Sequence, residues 1–132
     1  MRGDGAWLNS ANADERLVRV AFIILIGVHG LIHLLGTAKA FGWGDASPLR
    51  VPITPAAGLL WLVAAVLLGA TATMLAIGAT RWWWLGLAAV VLSQMLIIQS
   101  WSDAKFGTLA NLIIVIALVI ATSDMRPGSF RA

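Results

Sequence analysis

His29 and His33 are the only histidines in the chain, and they stand four residues apart in the run LVRVAFIILIGVHGLIHLLG. On a helix both imidazoles project from one face, and Gly36 and Ala40 continue that stripe. Such a pair can chelate one metal ion, as helical zinc motifs do. A complete centre needs more ligands, and the chain has no cysteine and no glutamate in an apolar run; Asp103 is the one nearby carboxylate. A closed structural zinc site is therefore not expected. Bis-histidine haem within one chain is not expected either, because axial ligands come from opposite faces of the porphyrin. One histidine on a tetrapyrrole, or a pair drawn from two chains, stays open. So do two other readings: a ligand-binding or proton-handling site, and interhelical hydrogen bonding alone. No cofactor is assigned; if a metal binds, His29 and His33 are the candidates.

Further polar residues fall in or beside apolar runs. Ser93 and Ser100 are seven apart, as are Gln94 and Trp101, and Gln99 lies between them. Lys105, Thr108 and Asn111 follow at successive spacings of three, as one stripe. Asp103 precedes them, placed to cap a following helix, and the Asp103–Lys105 pair reads equally as a solvated turn. The candidate ligand-binding set is His29, His33, Gln94, Trp101, Asp103, Lys105 and Asn111; no catalytic residue is assigned.

The elements that must carry these residues follow from composition. The chain has 132 residues, 60% hydrophobic and only 11% charged, with a mean hydropathy of +0.89. Soluble domains carry about 25% charged residues, so a soluble enzyme, a disordered tail and a disulfide scaffold are excluded. Four runs, at about 17–40, 55–79, 82–101 and 106–122, approach the roughly 20 helical residues that cross a bilayer's apolar core. Helices are expected because lipid-exposed backbone must satisfy its own hydrogen bonds. Thr54-Pro55 reads as an N-cap followed by a first-turn proline. Gly78-Ala79-Thr80-Arg81 and Ser102-Asp103-Ala104-Lys105 are tight breaks, and Trp82, Trp83 and Trp84 form an aromatic interface anchor. The expected fold is an all-α membrane protein, four transmembrane helices in an up-down-up-down antiparallel bundle. Residues 1–16 form a polar, flexible segment in which Trp7 rests on the interface, and 123–132 a short tail.

With four spans, Arg2, Arg16, Arg19, Arg81, Arg126 and Arg131 share a side, and Lys39, Arg50 and Lys105 lie opposite, which predicts cytoplasmic termini. At 1.5 Å per residue His29 lies about 18 Å and His33 about 24 Å beyond Leu17. The polar candidates then gather in the outer half, while the inner halves are nearly all Ala, Leu, Val and Ile. The first run is too long for a cleaved signal peptide. The net charge of +3 is spread over single Lys and Arg residues, not clustered as a nucleic-acid face requires. Small residues four apart, as in Ala65/Gly69/Thr73, Gly36/Ala40 and Ala117/Ala121, permit close helix packing in a homo-oligomer or larger membrane complex.

The elements HGLIHLLG, KAFGW, PITPAAGLLWL and SQMLIIQSWSDAKFGTLAN resemble a family of small bacterial four-span membrane proteins of uncharacterised function, and more loosely DoxX-like proteins. The likeness covers about Val20 to Ile120. It implies a four-helix fold in the bacterial cytoplasmic membrane and no reaction. Three functions compete: a binding protein or enzyme with an outer-half pocket for a lipid-like or quinone-like molecule, a non-catalytic accessory or assembly subunit whose polar residues lock the helices, and an oligomeric transporter. The apolar inner half argues against the last.

Overall fold

The computed structural model describes residues 4–44 and 49–124, with side chains over 12–44 and 49–123. The Trp7 side chain, loop residues 45–48 and the tail beyond 124 lie outside it. The described residues form five helices and no strand: α1 (Asp4–Phe41), α2 (Pro55–Ala76), α3 (Trp82–Gln99), α4 (Trp101–Ala104) and α5 (Gly107–Asp124). Three are long and apolar enough to cross a membrane: α1 over Asn12–Phe41, α2 and α3. In α5 the apolar stretch Gly107–Ser123 is shorter.

Helix ends follow local chemistry. The Thr54 hydroxyl accepts from the Ala57 amide at 3.2 Å with Pro55 in the first turn, as the sequence predicts. α1 and α2 terminate alike. Gly42 and Gly78 take positive φ values of 67° and 74°. The following amides, Trp43 and Ala79, reach back to Ala38 and Met74 at 2.8 and 2.9 Å. This is the Schellman closure, which a glycine adopts without Cβ strain.

Two differences from the sequence reading stand out. α1 does not start at Leu17 but at Asp4, so helix runs through most of the segment expected to be flexible. The stretch NSANADER has no proline or glycine to stop a helix already held by the apolar run behind it. The third helix stops at Gln99 instead of 101, and the four-residue α4 intervenes before α5.

α1 packs on α2, α2 on α3 and α3 on α5, while α1 and α5 touch sparsely. Thr37 Oγ1 donates to Gly58 O at 3.1 Å, and Arg19 Nη2 to Leu75 O at 2.6 Å. Small residues bring α1 and α2 close: a Cβ on Gly36 would overlap the Trp61 indole, and one on Gly58 would strike Ala40. Ile26, Leu68, Ala72, Ala89, Val90, Ile114 and Leu118 form the main core, with Phe22 and Trp82 against it. The tryptophan triplet divides: Trp82 meets Phe22 edge-on, whereas Trp84 is exposed and stacks on Trp83. A second cluster, Trp61, Ala64 and Leu96, lies toward α4.

Candidate functional site

Between these clusters lies a buried polar network. His29 and His33 share one face of α1, their ring centroids 4.8 Å apart. From α3, Ser93 Oγ lies 2.7 Å from His33 Nε2 and 3.2 Å from His29 Nε2. From α5, Asn111 Oδ1 lies 3.0 Å from His29 Nε2. Asn111 Nδ2 donates to Ser93 Oγ and to Gln94 Oε1, both at 3.0 Å, and Gln94 Nε2 donates to Thr108 at 3.2 Å. His29, His33, Ser93 and Asn111 are each at most 3% exposed. Ser93 lies on the buried face of α3 with Ala89 and Leu96, and from there its hydroxyl reaches both imidazoles.

Beside the network is a cavity of about 350 Å³, lined by His29, His33, Trp61, Ile97, Phe106 and Ala110 among others. Val28, Ile32 and Phe106 line it and are also exposed, so it reaches the lateral surface where α1 and α5 part. The His33 ring stands edge-on to Trp61 at 4.9 Å. Gly107 opens the α5 wall: a Cβ there would crowd Ile97 at 2.8 Å and His29 Cε1 at 3.2 Å.

Asp103 and Leu49 lie at the cavity's edge. Asp103 does not cap α5. Its Oδ2 accepts from the Arg50 and Val51 amides at 2.6 and 2.7 Å, fastening the segment ahead of α2. Those bonds hold its carboxyl below the ordinary value of 3.8, the Val51 amide contributing most, against some desolvation; the Arg50 amide, Ser102 and the Lys39 charge add to the lowering. Lys39 Nζ secures the same segment by donating to Leu49 O.

The sequence-predicted set therefore separates. His29, His33, Gln94 and Asn111 meet in the network, and Asp103 stands at the cavity edge. Trp101, 52% exposed, lies outside the cavity lining. Lys105 is exposed, its Nζ 5.5 Å from the Phe106 ring centre. Ser93, which joins all the network's parts, and Trp61, which walls the cavity, were not in that set. Ser93 carried a signal, as the first polar residue after eleven apolar or glycine positions in the third run. Trp61 carried none beyond its type.

Both histidine Nε2 atoms converge on the Ser93 hydroxyl, and no group of three His, Cys, Asp or Glu side chains suited to a metal occurs among the described residues. The arrangement can hold an apolar molecule beside neutral hydrogen-bonding groups and can tie three helices together. The chain matches no family model, no curated protein and no solved structure.

Proposed function

We propose that the chain is a four-span, up-down-up-down protein of the bacterial cytoplasmic membrane, with both termini in the cytoplasm, that binds a lipid-like or quinone-like molecule beside His29 and His33. The observation that carries this reading is the cavity of about 350 Å³, almost wholly apolar apart from the two imidazoles and Asp103, with its opening on the exposed faces of Val28, Ile32 and Phe106. Ligand sites are typically apolar clefts of about 300–1,000 Å³ with a few placed polar groups. An opening flanked by lipid-facing side chains suits a molecule that arrives through the bilayer. The Lys and Arg distribution supports the orientation, and the residues joining α1, α3 and α5 support four packed spans. The quoted motifs' likeness to the small bacterial four-span family, and more loosely to DoxX-like proteins, agrees with that architecture and adds no reaction.

An accessory role is the second reading. It is favoured by the network itself, which spends nearly all its polar atoms on neighbouring helices, as a lock would. Mass spectrometry of lipids retained by the gently purified protein decides between them. Ala110→Trp, which projects a large ring into the cavity, should abolish the enrichment of one species seen with the parent protein. Equal lipid profiles, matching bulk membrane in both, would leave the accessory reading.

A further inference from the structure

The cavity has a second boundary besides its lateral opening. Along α1 its lining runs from Leu25 to Gly36, about 16 Å at 1.5 Å per residue. Past the Gly36 end stand Leu49, tied to Lys39, and the α4 residues Asp103 and Ala104. Here α3 stops and α5 starts, and the charged side chains of Arg50 and Lys105 are exposed, so this end of the helix assembly faces water. Among the described residues, Leu49 is the one lining residue from the segment that joins α1 to α2.

That segment is held in an unusual way. Residues 49–51 make no backbone-to-backbone hydrogen bond with another described residue. Two side chains from different helices fasten them instead. Lys39 of α1 donates to Leu49 O, and Asp103 of α4 accepts the Arg50 and Val51 amides at 2.6 and 2.7 Å. Both fastening residues are only half-buried, so water can take over either partner of these bonds at small net cost. Beyond them Ile53 packs against the cluster of Trp61, Ala64 and Leu96 and pins the far end. The His29, His33, Ser93 and Asn111 network is buried and has no such exchange with water. The weakly held stretch is thus confined to residues that border the cavity.

We propose that residues 49–51 are a strap closing the water-facing end of the cavity, and that release from Asp103 and Lys39 opens a second entrance there. The lateral opening admits the apolar body of a molecule from the bilayer, and the strap governs when the cavity meets water. This rests on the occupied-cavity reading above and adds a regulated exchange to it.

The chain has no cysteine, so one introduced thiol reports access. The test places the full chain in lipid nanodiscs, which leave both faces in water and cover the lateral opening with acyl chains. Ala110→Cys puts a thiol on the cavity wall. Its rate with a charged, membrane-impermeant methanethiosulfonate is divided by its rate with N-ethylmaleimide, which passes through lipid. Adding Asp103→Ala should raise that ratio about tenfold, the worth of hydrogen bonds to one charged acceptor, and adding Lys39→Met as well should raise it further. Ile116→Cys, further along α5 on an exposed apolar face, should stay closed to the charged reagent in every background. Equal ratios at Ala110→Cys with and without Asp103 overturn the strap. So does a parent ratio already as high as that of the exposed Lys105→Cys. A matching rise at Ile116→Cys shows general loosening of the helices and overturns it too. None of these results bears on which lipids the parent protein retains, so the cavity reading stands or falls separately.

Discussion

The two ends of the helix assembly solve the same packing problem differently. At the Gly78 end, Ile26, Leu68, Ala72, Ala89, Val90, Ile114 and Leu118 fill space with hydrocarbon alone. Toward the Asp103 end, the apolar cluster of Trp61, Ala64 and Leu96 is joined by hydrogen bonds through His29, His33, Ser93, Asn111 and Gln94, and a cavity remains beside them. Dispersion contacts are non-directional, so side chains can shift until voids disappear. Hydrogen bonds fix donor and acceptor positions to a few tenths of an ångström and hold helices at distances that apolar neighbours need not fill. The difference teaches that a polar lock and a pocket can be two results of one arrangement.

The largest expected effect probes the apolar end. Leu68→Ala, at a fully buried position, should cost about 3 kcal/mol in reversible unfolding from micelles, and should leave the profile of retained lipid unchanged. Asn111→Leu comes next. It removes bonds to His29, Ser93 and Gln94, and interhelical hydrogen bonds in bilayers average about 0.6 kcal/mol each, so about 2 kcal/mol should be lost. Unlike Leu68→Ala, it should also alter what the cavity retains. A lipid change from Leu68→Ala, or none from Asn111→Leu, would erase the functional contrast between the two ends.

A smaller, local effect should come from Asp103. Its carboxyl titrates lower when it accepts the Val51 and Arg50 amides than when it is free. The fastening is therefore complete above the ordinary value of 3.8 and is lost as pH falls through the lowered one. Hydrogen exchange at Arg50 and Val51 should accelerate across that acidic range while amides of α2 stay protected. Asp103→Ala should produce the same acceleration at neutral pH.

Much of this was readable in the residues. The helical runs follow from hydropathy, the α2 cap from Thr54-Pro55, and the common face of His29 and His33 from their spacing. Their partners were not, because a face has to be paired with particular positions on helices 60 to 82 residues away. Asp103 was misread for the same reason: an acidic residue before a helix looks like a local cap, yet its partners lie 52 and 53 residues earlier. The Lys105, Thr108 and Asn111 stripe failed through geometry. Lys105 stands in the turn before α5, and steps of three fall short of a full helical turn by about 60°, so Lys105 is exposed while Asn111 is buried.

One pair of contacts in the first hairpin has a mechanical consequence. Arg19 with Leu75 and Thr37 with Gly58 are rungs separated by about 27 Å along α1 and about 26 Å along α2, at 1.5 Å per residue. The two lengths agree to within one residue, so both rungs close together or not at all. A slip of one turn, about 5.4 Å, would break both, and no smaller slip would keep the side chains meshed. α1 and α2 are thus tied in one register at both ends of their contact.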